Sequence, residues 1–208
     1  GNLVDTIGDL AFKGCTKASS VKISSALTEI PKELFAGDTS FTDCKIPNSI
    51  TAINASAFEG CTGLTAVTIP SSVTTIEASA FSGCTGLSKI SIPKNVTSIG
   101  SSVFSGCTGL TSLNVDLENK VFDSRGDCNA IIQRSSDTLI AGCESTVIPE
   151  DIMSIGNYAF AGCIGLADIE IPESVMSIGN NAFAGCTDLE SITLSAVSYT
   201  HLTLPTIA

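Results

Sequence analysis

Asp168 and Glu170, nine cysteines and an Arg-Gly-Asp tripeptide at 125–127 are the groups in this 208-residue chain with the means for chemistry. Two carboxylates separated by one residue share a face of a strand, which is the least that general acid and base work requires. That work also needs a pocket that encloses the pair and drives their proton affinities apart. The chain's one histidine is His201, and it stands with no nucleophile-and-base constellation, so no catalytic residue is expected. No Cys-x-x-Cys pair occurs, which argues against zinc, and neither a metal nor a cofactor is expected. Two cysteines have a more specific reading. Residues 128–143 suit a β-hairpin turning at Ser135-Ser136, and pairing Arg134 with Asp137 sets Ile132 opposite Leu139, Ala130 opposite Ala141 and Cys128 opposite Cys143. Cys128 and Cys143 are then cross-strand neighbours, able to form a disulfide in an oxidising compartment. Just before them, Arg125-Gly126-Asp127 is the tripeptide that integrins read on a loop tip, although Gly and Asp also suit any turn leading into a strand.

The element that positions these groups is a repeat. Phe12, Phe35, Phe58, Phe81 and Phe104 stand 23 residues apart, and Phe160 and Phe183 resume that interval after a gap of 56. A unit of that length cannot enclose a core, so units must stack into a solenoid. Leu64-x-x-Val67-x-Ile69, closed by Pro70, has the Leu-x-x-Leu-x-Leu spacing of a leucine-rich repeat, a short strand that turns alternate side chains inward. Two residues past each such proline position is a small polar residue (Ser49, Ser72, Asn95, Asp151, Ser174), suited to satisfying backbone groups at a buried turn. Between Val73 and Gly83 the apolar spacing suits an extended piece and then a helical turn, which makes the expected fold class α/β: a parallel concave sheet with extended pieces and helical turns on the convex side. The interval from Asp116, at the proline position, to Pro149 is 33 residues, so a variant repeat with the hairpin occupies about 117–148. Six cysteines, at 15, 61, 84, 107, 163 and 186, form one column of the repeat and are expected as buried free thiols.

Ten basic against twenty-one acidic residues give a formal charge of −11, which argues against nucleic acid as a partner. No run of about 18 apolar residues is present to insert in a membrane. The solenoid is expected to be one continuous domain over 1–194. Because residues 4–12 begin in the middle of a repeat, the chain is expected to be a piece of a longer protein. Residues 195–208 break the pattern and resemble a translated sequencing-adapter segment, so this non-repeat tail is expected to lie outside the fold.

Ile92-Pro93-Lys94-Asn95-Val96-Thr97-Ser98-Ile99-Gly100 with Val103-Phe104-Ser105-Gly106-Cys107, and the same pattern at 171–186, closely resemble the repeats of BspA-like leucine-rich-repeat proteins of bacterial cell surfaces. The segments Asp123-Ser124-Arg125, 128–132 and 139–143 resemble a variant repeat of such proteins. Membership implies secretion, an extracellular or cell-surface location, and adhesion to host or microbial surface proteins. Asp38 at the cysteine position, and Phe41 and Ala18 at the leucine position, depart from the pattern and suggest a looser N-terminal end.

Binding is expected on the concave strand face, where the side chains either side of each inward strand residue point outward. Lys22, Lys45, Thr68, Lys89, Asn114, Asp168 and Glu170 are the candidate contacts, with lysines early and carboxylates late. The expected function is a non-catalytic protein-binding or adhesion module, the alternative being a passive structural spacer in a larger surface protein.

Overall fold

Alternate apolar residues at Leu64, Val67 and Ile69 can be buried only if neighbouring repeats supply the other wall, and the computed structural model, described here for residues 4–195, has that arrangement. Each repeat is one coil with two short strands. In chain order the first eight are β1 (Glu29–Ile30), β2 (Asp43–Lys45), β3 (Ala52–Ile53), β4 (Ala66–Thr68), β5 (Thr75–Ile76), β6 (Lys89–Ile92), β7 (Ser98–Ile99) and β8 (Ser112–Val115). Strands β1, β3, β5 and β7 form a narrow parallel ladder one repeat apart, with Ile30, Ile53, Ile76 and Ile99 in a row. The wider ladder, expected as one concave sheet, is instead split into the parallel pairs β2–β4 and β6–β8.

The third side of each coil corrects the expected fold class. It contains no helix: the protein is an all-β solenoid, and the one helical piece among the described residues is a 3-10 turn at Arg125–Asp127. The reason is visible in where the amides point. Ala80, Ser82 and Cys84 donate back three residues to Glu77, Ser79 and Phe81, whereas Ser79, Phe81 and Gly83 donate outward to Ser101, Val103 and Ser105 of the next coil. A helix would consume every N–H within its own coil, and left-handed residues at Ser79 (φ 57°) and Gly83 (φ 70°) prevent one from forming. Gly83 is required there by its φ, since a Cβ would meet the backbone of Gly60 only in ordinary contact at 3.5 Å.

Along the axis the phenylalanines form the expected adjacent row. Phe58 and Phe81 stack at 5.2 Å, Phe81 and Phe104 at 5.8 Å, and Phe160 and Phe183 at 4.9 Å. Phe41 joins the row, stacking on Phe35 at 5.5 Å and on Phe58 at 6.4 Å, so its departure from leucine adds a ring where a looser end was expected. The cysteine column has a bonding role as well. The thiols of Cys61, Cys84, Cys107 and Cys186 donate to the carbonyls of Phe35, Phe58, Phe81 and Phe160, each 26 residues back, at 3.0–3.1 Å. In the small polar column Ser72 Oγ donates to Ile50 O at 2.7 Å and Asn95 Nδ2 to Ser71 O at 2.7 Å, while Ser49 and Ser174 have no partner.

The variant repeat divides what was expected to be a single spine. It supplies β9 (Phe122–Asp123), β10 (Ala130–Gln133) and β11 (Thr138–Gly142), followed by β12 (Ser154–Ile155), β13 (Asp168–Ile171), β14 (Ser177–Ile178) and β15 (Ser191–Leu194). A five-stranded sheet runs β14-β12-β11-β10-β9, and β13 pairs with β15. The hairpin β10–β11 begins in the expected register, Ile132 opposite Leu139, but a bulge at Ile140 then sets Ile131 opposite Ala141 and Ala130 opposite Gly142. Both faces are buried: Ile131, Ala141 and Cys143 pack on the N-terminal core, and Cys128, Ala130, Ile132 and Leu139 on the C-terminal core. At the glycine corner the insertion is bypassed, because Gly106 N donates directly to Ala161 O at 2.8 Å. Asn119, fully buried at the entrance, pins the variant repeat by donating to Pro93 O and Val96 O and accepting from the amides of Val121 and Phe122.

Candidate functional site

The bulge removes the basis for the Cys128–Cys143 pairing. One extra residue in β11 rotates the two thiols onto opposite faces of the hairpin and into separate cores, and both are free. Cys143 Sγ donates to Asn129 O at 3.5 Å. Thiolate formation is opposed throughout the interior, since burial pushes Cys44, Cys61, Cys107 and Cys163 up to about 12.

In the Arg-Gly-Asp segment the arginine is engaged within the chain, while Gly126 and Asp127 are exposed. Arg125 binds Asp123 through Nε at 3.0 Å and Nη2 at 3.1 Å, and its Nη1 reaches Asp137 at 2.9 Å and Asp151 at 2.6 Å. Arg134 Nη1 adds a second ion pair to Asp123 at 3.0 Å, and its Nε donates to Phe122 O. These carboxylates hold the Arg125 guanidinium firmly charged and leave its side chain 27% exposed, so it ties the start of the hairpin to the next repeat. Gly126, at φ 64°, makes the tight turn that brings Arg125 back over the carboxylates.

The wide-ladder face does what the alternation requires: Lys22, Lys45, Thr68, Lys89, Asn114, Asp168 and Glu170 are all exposed. Lys22 precedes the first described wide-ladder strand; the other six project from β2, β4, β6, β8 and β13. One contact was missed by counting from regular repeats. Val147 stands two residues before Pro149, as Thr68 does before Pro70 and Glu170 before Pro172, and it is 72% exposed while its neighbour Thr146 is buried. The lengthened repeat hid this correspondence, although the proline spacing could have revealed it.

Cations on this face are confined to its first part, where exposed Asp43 also projects beside Lys45 from β2. Every one of the ten basic residues lies at or before Arg134, whereas nine of the twenty-one acidic residues follow it. Glu150, Asp168 and Glu170 line, with Val147 and Pro172, a depression of about 280 Å³. Among the described residues no cation pairs with these three carboxylates. A second depression of about 450 Å³ lies over the seam between β4 and β6, beneath Thr68, Lys89, Ser91 and Asn114. Both are open and shallow, so Asp168 and Glu170 have no enclosing pocket around them.

A family profile described as BspA type Leucine rich repeat region matches six copies over residues 2–126 and 139–203. The chain belongs to this family. The gap in the match, 127–138, falls in the hairpin, and the match runs past the expected boundary at 194. The tail from 196 onward, with His201, lies outside the described residues. Among solved structures the chain is similar to a leucine rich cell surface protein from Faecalibacterium prausnitzii, at 27% identity and TM-score 0.64, covering 91% of this chain and 64% of that one. It is similar to the pneumococcal vaccine antigen PcpA at 26% identity and TM-score 0.80, covering 92% and 48%. A leucine-rich repeat protein from Bacteroides ovatus matches at 29% identity and TM-score 0.65, covering 91% and 52%. The chain thus spans about half to two-thirds of the length of these relatives. No curated protein matches it.

Proposed function

We propose that this chain is a non-catalytic protein-binding module of a bacterial cell-surface or secreted adhesin, and that the wide-ladder face is its recognition surface. The observation that carries this reading is the charge on the face: lysines at 22, 45 and 89, with Asp43 beside Lys45, and further along the carboxylates Glu150, Asp168 and Glu170, which no described cation pairs, beside exposed Val147. Unpaired like charges on one face raise the compact state's energy through self-repulsion, and a complementary partner relieves that cost. Open, shallow geometry suits a protein surface better than a small molecule, which is usually held in a deeper, mostly apolar cleft. That the similar Faecalibacterium protein is a leucine rich cell surface protein supports the location.

The test is capture from panels of host extracellular and microbial surface proteins with the chain immobilised, followed by two charge reversals, Lys45/Lys89→Glu and Asp168/Glu170→Lys. Binding that weakens with salt, and at least tenfold with one reversal, is expected. Capture that both reversals leave unchanged would move recognition off this face, and no capture at all would favour the spacer role.

A further inference from the structure

The cysteine column has one member that is not a cysteine. Asp38 takes the position between Cys15 and Cys61, and it is 2% exposed with its Oδ1 lacking any hydrogen-bond partner. Elsewhere in the column the thiols of Cys61, Cys84, Cys107 and Cys186 donate to the phenylalanine carbonyl 26 residues back, while Cys163 turns to Gly142 O; each of those phenylalanine carbonyls also accepts an amide from its own turn. Phe35 O receives Asp38 N and Cys61 Sγ; Phe58 O receives Cys61 N and Cys84 Sγ; Phe81 O receives Cys84 N and Cys107 Sγ. The residue 26 before Asp38 is Phe12. Its carbonyl accepts Cys15 N at 3.2 Å and, among the described residues, no side-chain donor. A carboxylate in this position has no hydrogen to give, and it sets an anion beside a carbonyl oxygen in a desolvated site. A carboxylic acid has a hydrogen to give, as those four thiols do.

We propose that Asp38, when protonated, gives its O–H to the Phe12 carbonyl, so that mild acid clasps the coil around residues 10–18 more tightly onto the coil that follows it. The titratable group facing Asp38 is the thiol of Cys61 in the following coil; from the preceding coil the Cys15 amide reaches it, and among the described residues no charged side chain acts on it. Burial raises its proton affinity, and the Cys15 amide offsets this only in part. A carboxyl that binds its proton more tightly folded than unfolded stabilises the fold as pH falls. The contribution is complete below the ordinary carboxylate range and is lost as pH rises through the raised folded value. This is the reverse of a salt-bridged carboxylate. One linked proton changes the open population of the coil by at most about tenfold per pH unit.

The amides of Phe12 and Gly14 report on the clasp, because they bond to Leu34 O and Ala36 O across the same junction. Their hydrogen exchange, corrected for intrinsic rates, is to be compared between wild type, Asp38→Asn and Asp38→Cys from pH 7.5 to 4.5. Both variants carry a donor that does not depend on pH in this range. Protection in both is expected to exceed wild type at pH 7.5, with the gap closing toward unity as pH falls. A gap that stays constant with pH, or variants less protected than wild type at every pH, overturns the proposal. If the variants fail to fold, the carboxyl carbon resonance of Asp38 in the wild-type chain decides alone: a midpoint above the ordinary carboxylate range supports the acid, and one at or below it refutes it.

Discussion

Removing the Phe81 ring should be among the most damaging single changes available to this fold, and its cost can be set against a built-in control. Phe81 is fully buried and stacks on both sides, at 5.2 Å to Phe58 and 5.8 Å to Phe104. Phe12 has the same repeat position but is 42% exposed and has one stacking neighbour, Phe35, at 6.1 Å. Truncating a fully buried phenylalanine costs about 3–5 kcal/mol through lost transfer energy and the cavity left behind. Each stacked pair contributes roughly 0.5–1.5 kcal/mol of that beyond area alone. Phe81→Ala is therefore expected to lose about 4 kcal/mol, and Phe12→Ala, with less to bury and one stack, about 1–2 kcal/mol. Phe81→Leu keeps most of the volume but no ring, and should fall between them at about 2–3 kcal/mol. Equilibrium urea unfolding followed by circular dichroism measures all three, with a further expectation for Phe81→Ala. Because coils are coupled mainly to their neighbours, a break at the centre should lower the slope of the transition as the halves begin to unfold separately. Equal losses for Phe81→Ala and Phe12→Ala, or less than about 1 kcal/mol for the former, would refute the stacked spine as the source of stability.

Native-state alkylation should label Cys15 first, since it is exposed, while Cys61 and Cys107, whose thiols are pushed up to about 12, stay unlabelled until the chain unfolds. Because their thiolates form only above that pH, raising pH from 7 to 9 should not make them react in the folded state, and mass spectrometry of labelled peptides tests this. Arg125→Ala leaves Asp123, Asp137 and Asp151 without their shared cation and is expected to cost about 1–3 kcal/mol, measured by thermal unfolding. Asp127→Glu should leave attachment of integrin-bearing cells unchanged, because the Arg125 beside it is committed inward.

The repeat arithmetic carried far because stacking translates it directly into space. A 23-residue period in Phe58, Phe81 and Phe104 became a row of rings, and alternation around Val67 and Ile90 left Thr68 and Lys89 exposed on one face. Helical turns were misjudged for a physical reason. The apolar spacing from Val73 to Phe81 fits a helical turn as well as it fits an arc whose amides alternate between their own coil and the next, and only the presence of the next coil selects the arc.

What the chain determined alone was therefore the periodic part: the coil, the buried columns, the outward face and the family. Tertiary structure decided whatever depends on partners distant in sequence. A single bulge at Ile140 sent Cys128 and Cys143 into different cores, because one residue of slip reverses every side chain of a strand. Arg125 became an internal clasp because Asp137 and Asp151 arrive from later in the chain. The repeat alone placed Asp38 at a cysteine position, but only stacking of the coils buried it without a partner for Oδ1.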